Sequence, residues 1–343
     1  MHTFIIAEAG VNHNGRQDLA LALVEQAHRC GADAVKFQTF SADKLVRPGA
    51  EKAQYQQLAT GDGDQHAMLK SLEMSEELHR LLYRRCRELG IEFMSTPFDE
   101  AAAQFLVELG MRRIKIPSGE INNEPFLGFL AKFDLPLILS TGMATMAEIV
   151  KAVEVIGAAR AAAGFAAPLE TMLTILHCTS NYPAAYGDVN LRAMQTIALE
   201  TKLPVGYSDH TLGIAVSPAA VAMGASVIEK HFTLDRDLPG PDHSASLTLD
   251  ELRDMVEQIR AVEVALGSAE KAPTESELPV RALVRRSVTS ARAIGRGDVF
   301  AIEDLLLLRP GNGIAPGDRD KLPGTRAARD IPAGTTLQWS DIE

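Results

Sequence analysis

Two histidines, His210 and His231, stand at the ends of apolar runs, Pro204–His210 and Val227–Thr233. If both runs are neighbouring β-strands, about 4.8 Å apart, the two imidazoles can reach one metal ion, and with a carboxylate or water they suit Mn, Fe or Zn. A second set is cationic and hydroxylic: Lys115-x-x-Ser118, Ser140, Ser180 and Ser208 also lie at run ends. One ammonium with several hydroxyls meets the needs of a tetrahedral dianion. Lys36 is a second cation that could hold a carboxylate, so a substrate carrying both a phosphate and a carboxylate fits the pair of lysines. A lysine so placed can also form a Schiff base with a carbonyl, or serve in a structural salt bridge, and spacing alone does not separate these uses. Glu8, Gln38, Thr96, Glu120 and Tyr182 add further polar groups at run ends. This is more than packing explains, because buried polar groups are costly unless paired or used.

The elements that must position these residues are short apolar runs: Phe4–Gly10, Ala34–Thr39, Glu92–Pro97, Arg113–Gly119, Leu137–Gly142, Thr174–Ser180, Pro204–His210 and Val227–Thr233. Each reads as a strand, and helical periodicity fills the intervals. Thr145 with Glu148, and Thr248 with Glu251, form capping boxes; Asp99 caps another helix, and Gly110 ends it. Strand and helix alternating eight times predict a parallel (β/α)8 TIM barrel, whose carboxyl-end rim gathers catalytic side chains. The rival is an open doubly wound sheet, but no GxGxxG fingerprint follows the first strand. The connection Phe40–Met74 is abnormally long and polar, as expected of a lid or binding loop on that rim.

The barrel is expected over residues 1–268, a Pro-containing polar linker over 269–284, and a small mostly-β domain over 285–343. Within that domain ARAIGRGDVFAIEDL aligns with ARDIPAGTTLQWSDI, matching Ile294 to Ile331, Gly297 to Gly334 and Asp304 to Asp341, which reads as two pseudo-symmetric halves. With 46% hydrophobic and 23% charged residues the chain of 343 residues has ordinary globular composition. Its formal charge of −11 argues against a general nucleic-acid binder. Cys30, Cys86 and Cys178 form no CxxC pair and read as reduced thiols. The beginning MHTFIIAEAG lacks a signal-peptide pattern and no run is long enough for a membrane helix, so a soluble, cytoplasmic protein is expected.

Nine strings occur in order: IIAEAGVNHNG, VKFQTF, STPFD, KIPSGE, LSTGM, LHCTSNYP, GYSDHTLGI, EKHFTLDRDLPGPDHSASL and LRPGNG. Together they resemble the sialic acid (nonulosonic acid) synthase family, which condenses phosphoenolpyruvate with an N-acyl aldose to give nine-carbon 2-keto acids and carries a C-terminal antifreeze-like (SAF) domain. The resemblance implies that His210 and His231 ligate a divalent metal, Mn2+ before Mg2+ or Co2+. It places Lys115, Ser118, Ser140 and Ser208 on the phosphate of phosphoenolpyruvate, and Lys36 and Thr96 near the carboxylate; Ser180 and Glu120 join the substrate-binding set from their strand-end positions. Glu8, Gln38, Tyr182 and Asp242 would handle the acceptor sugar, with Glu8 the acid/base; Glu8, His231, Lys36 and Lys115 form the catalytic set. Arg309 would be donated to the neighbouring subunit of a domain-swapped homodimer. VKFQTF and GPDHSASL are more similar to legionaminate-type members, whose acceptor is a 2,4-diacetamido-2,4,6-trideoxyhexose, than to bacterial N-acetylneuraminate synthases, which use N-acetylmannosamine. A metal-independent Schiff-base aldolase is the reading from another class.

Overall fold

The computed structural model describes residues 2–343. Eight parallel strands lie in the order β3-β2-β1-β8-β7-β6-β5-β4. They are β1 (Phe4–Gly10), β2 (Ala34–Thr39), β3 (Glu92–Pro97), β4 (Ile114–Ile116), β5 (Leu137–Ser140), β6 (Leu173–Cys178), β7 (Val205–Asp209) and β8 (Val227–His231). The outermost strands, β3 and β4, are spatial neighbours, so the sheet curls into a barrel with helices between its strands. At that seam the Ser95 N–H donates to Met111 Sδ at 3.4 Å.

Period-two alternation sorts the strand residues into two sides. Ile5, Ala7, Val35, Phe37, Phe93, Ile116, Leu139, Ile175, Tyr207 and Ile228 face the helices and form the main core. Ile6, Ala34, Met94, Ile138, Leu176 and Val227 form a separate cluster inside the barrel. At Gly206 the interior has no room for a side chain: a Cβ there would fall 2.6 Å from Leu176 Cδ2 and against the Val227 carbonyl oxygen. Two residues further along the same inward rows come Glu8, Lys36, Thr96, Ser140, Cys178, Ser208 and Glu229, all buried. Dry packing therefore gives way to a polar layer within one pleat of the carboxyl rim.

The helix ends follow their local chemistry. Thr145 and Thr248 form capping boxes with Glu148 and Glu251. Asp99 accepts from Ala102 N–H, and Gly110 ends that helix in the left-handed conformation at φ 104°. The connection after β2 is not an open loop. Helices Ala42–Leu45, Gln54–Thr60 and Gln65–Lys70 run through it, and Phe40, Met68 and Leu72 join Val11 in a small core of their own.

Contacts divide the chain into compact units Met1–Gly267 and Ser268–Glu343. The stretch expected to be linker contains a helix, Glu277–Val284, whose start is signalled by Thr274 N–H donating to Glu277 Oε2 at 2.8 Å. That Thr-x-x-Glu start signal is local, and the surrounding prolines and polar residues mask it. In the second unit β9 (Ser287–Ser290) pairs antiparallel with β10 (Leu305–Leu308). The internal repeat is structural: Ile294 and Ile331 bond each other's backbones at 2.9 and 2.8 Å. Gly297 and Gly334 take equivalent turns at φ 83° and 76°. Asp304 receives Arg292 as Asp341 receives Arg329. Among the described residues no helix is long and apolar enough to cross a membrane.

Candidate active site

The inward rows converge on a cavity of about 70 Å³ at the carboxyl ends of the strands. Lys36 Nζ lies 2.7 Å from Glu8 Oε2, donates to Thr96 Oγ1 at 2.9 Å, and lies 3.7 Å from Glu229 Oε2. Lys115 Nζ donates to the other oxygen of Glu229 at 3.1 Å, and Ser208 Oγ to the same oxygen at 3.3 Å. Glu229 thus sits between two buried ammonium groups. The lysines hold its carboxyl down to about 2 against the effect of burial, which alone would raise it. Lys36, flanked by Glu229 and Glu8, is held above the ordinary lysine range although burial acts the other way. Glu8 is pushed up to about 7, chiefly by burial and opposed by Lys36; Gln38 Nε2 donates to its Oε1 at 3.2 Å.

Serine hydroxyls share the same cavity. Ser118 Oγ and Ser180 Oγ are 3.3 Å apart, and buried Ser140 Oγ has no partner. Gly142 (φ 48°) closes this cradle, since a Cβ there would fall 2.5 Å from Ser118 Cβ. Its N–H donates to Cys178 Sγ at 3.0 Å.

The two histidines sit above this layer with ring centroids 5.7 Å apart. His210 Nδ1 donates to the Thr179 carbonyl at 2.6 Å, which leaves Nε2 as the lone-pair nitrogen. Burial lowers its pKa to about 4. His231 is driven well below the ordinary range by burial, then by His210 and Lys36, and its buried Nδ1 has no hydrogen-bond partner. Asp242 Oδ2 lies 3.9 Å from that nitrogen, and burial raises the Asp242 carboxyl to about 6. The Tyr182 ring stacks on His210 at 4.1 Å. A bulge in β1 between Glu8 and Gly10 brings these groups together: a Cβ on Gly10 would lie 3.3 Å from Glu8 Oε1 and 3.5 Å from His231 Cε1.

With this geometry in place the relationships are specific. Residues 23–271 match the NeuB family and residues 285–343 the SAF domain. The chain belongs to the NeuB family. It is 55% identical over 344 residues to the N,N'-diacetyllegionaminic acid synthase of Legionella pneumophila subsp. pneumophila, covering 100% of this chain and 95% of that relative. It is 45% identical over 332 residues to the synthase of the same name from Campylobacter jejuni subsp. jejuni, covering 96% of each. Among solved structures, the N-acetylneuraminic acid (sialic acid) synthetase from Leptospira borgpetersenii serovar Hardjo-bovis, in complex with citrate, is 34% identical. It superposes with a TM-score of 0.71 over 82% of this chain and 90% of that one.

In this NeuB-family barrel, Glu8, Lys36, Gln38, Thr96, Lys115, Ser118, Ser140, Tyr182, Ser208, His210 and His231 all line the one cavity. Ser180 and Asp242 stand immediately behind that lining, against Ser118 and His231. Glu120 does not line it; its carboxylate receives Asn123 Nδ2 at 2.6 Å, because the 3-10 turn Ser118–Glu120 carries it past the rim. Arg309 is in the second unit, exposed, just after β10. Glu229 was not among the residues expected from the sequence. The signal was available: it is two residues before His231 on one strand, so it shares the inward face, whereas Lys230 points outward to Asp209 at 3.0 Å.

Proposed function

We propose that the chain condenses phosphoenolpyruvate with an open-chain 2,4-diacetamido-2,4,6-trideoxyhexose and water, giving N,N'-diacetyllegionaminic acid and phosphate. One observation carries the reading: a single cavity holds two buried ammonium groups joined through Glu229, with Ser208 Oγ donating to the same Glu229 oxygen as Lys115 and the Ser118 and Ser140 hydroxyls in the same lining. This is the complement of a small molecule with a carboxylate at one end and a phosphate at the other. The 55% identity over the whole chain to a synthase of that name supports the choice of acceptor.

Lys36 and Thr96 bind the carboxylate; Lys115, Ser118, Ser140, Ser180 and Ser208 bind the phosphate. C3 of phosphoenolpyruvate forms a bond to the aldehyde carbon, whose oxygen takes a proton and becomes a hydroxyl. Water adds at C2, losing a proton to Glu8, a group near neutral pKa and therefore suited to proton exchange. The C2–O bond to phosphate then breaks as the ketone forms, and the leaving charge falls on Lys115 and the serines. Gln38, Tyr182 and Asp242 orient the sugar.

His210 and His231 fit a divalent cation. Both imidazoles are neutral, one has a lone-pair nitrogen fixed by the Thr179 carbonyl, and the other has a buried nitrogen without a partner. Among the described residues no three His, Cys, Asp or Glu side chains group to hold a metal alone, so water or substrate would complete the shell. When bound, a cation such as Mn2+ supplies Lewis-acid polarisation of a carbonyl. A Schiff-base aldolase needs a neutral amine, whereas Lys36 and Lys115 are each engaged by buried carboxylates.

The active unit in this reading is a cytoplasmic homodimer in which Arg309 serves the neighbouring barrel. The exposed Leu278, Val280 and Leu283 of helix Glu277–Val284 support an interface. The reaction is tested by incubating the chain with phosphoenolpyruvate, the diacetamido sugar and Mn2+. A nine-carbon 2-keto acid equimolar with phosphate is expected. A borohydride-trapped pyruvate adduct, with turnover indifferent to EDTA, would replace the reading with the aldolase.

A further inference from the structure

The connection after β2 brings an aromatic ring to the mouth of the site. Tyr55, on helix Gln54–Thr60, lies with its ring centroid 5.2 Å from that of Tyr182, at 34°. Tyr182 in turn stacks on His210 at 4.1 Å and meets His231 edge-on at 5.5 Å. A continuous stack thus runs from the inserted segment to the histidine pair. Helix Gln54–Thr60 has no buried residue, and its Leu58 is 83% exposed. The small core beneath the insertion is built from residues on either side of it, Phe40, Met68 and Leu72 among them. Tyr55 thus ties this helix to the rim through Tyr182. Burial, and then the Asp242 carboxylate, push its phenol pKa up.

The cavity is about 70 Å³, whereas pockets for small organic ligands run to roughly 300 Å³ and more. The lysines and serines that suit an anion lie in the strand layer beneath the histidines, and Tyr55 reaches none of them. Tyr182 lines this cavity, and Tyr55 stands against it.

We propose that Tyr55 is a specificity-determining residue for the acceptor: the Tyr55–Tyr182 pair opens to admit the sugar and closes on the methyl groups of its N-acetyl and 6-deoxy positions. The substrate class rests on the function proposed above. An aromatic ring at this spacing contributes beyond area burial, so its loss is expected to change acceptor affinity measurably. Tyr55→Ala should raise the acceptor KM about tenfold while changing the phosphoenolpyruvate KM less than about twofold, and Tyr55→Phe, which keeps the ring, should rescue most of the loss. The same Tyr55→Ala chain should be cut by trypsin after Lys52 faster than wild type, because the helix that follows has lost its anchor. An unchanged acceptor KM, or a parallel rise in both KM values, would overturn the proposal. If wild type turned over no N-acyl sugar, the function reading would fall by itself. The trypsin comparison would still decide the anchor, with equal cleavage rates overturning it.

Discussion

At the scale of single residues, burial sets the chemistry. Glu8 is the one carboxyl at the cavity brought to about 7, where it can take a proton from water and return it. Acting as a base, it becomes competent as pH rises through neutrality. The kcat/KM profile should therefore have an acid limb near pH 7, measured by phosphate release. Glu8→Gln should lower kcat by about 100-fold or more and abolish that limb. His13 shows the opposite shift for a structural reason. It is fully buried, accepts from Gly15 N–H at 3.0 Å and packs near Phe37, and burial lowers its pKa to about 4. The unfolded chain binds a proton there below pH 6.5 and the folded one does not. Stability associated with neutral His13 is present above 6.5 and lost as pH falls toward 4, by about 3 kcal/mol in total. His13→Gln should flatten that part of the stability profile, read from urea midpoints at pH 7 and pH 4.5.

At the scale of elements, the outward faces of β7 and β8 hold the histidine-bearing ends in place. Asp209 pairs with Lys230 at 3.0 Å and accepts from Thr211 N–H, Thr211 Oγ1 and Ser217 Oγ. Lys230 also donates to the Thr211 carbonyl. Asp209→Ala leaves a buried ammonium without its counter-ion and should cost about 3–5 kcal/mol of stability. Lys230→Met added to it should recover part of the loss; a double variant no more stable than the single would contradict this. The strands were largely legible in the sequence: β1, β2 and β3 span the residues their apolar runs predict. The later runs overshoot, because Ser118, Ser180 and His210 continue the polar rim after the strand backbone has ended. Glu229 was hidden by its neighbours, since two polar residues follow it and only strand parity reveals which face it takes. Helix Glu277–Val284 was lost among prolines. Tyr55 was beyond reach, because no periodicity ties a residue of the insertion to the far strand end it touches.

At the scale of the whole molecule, the barrel holds the lysine–serine layer and the histidines, whereas Arg309 is on the other unit. If a neighbouring subunit supplies that arginine, two separately inactive variants should restore each other. Mixing Arg309→Ala with Glu8→Gln chains under subunit exchange should yield about a quarter of wild-type activity, from hybrid dimers with one intact site. No recovery would mean that Arg309 serves its own barrel or none. In the proposed function the two-lysine cavity takes a carboxylate–phosphate substrate, and the acceptor is a diacetamido sugar. The direct measurement is phosphate release from phosphoenolpyruvate with Mn2+, comparing 2,4-diacetamido-2,4,6-trideoxymannose with N-acetylmannosamine, each with and without EDTA. The expected result is a kcat/KM higher by about tenfold or more for the diacetamido sugar, abolished by EDTA. Equal or better use of N-acetylmannosamine, or turnover untouched by EDTA, would contradict it.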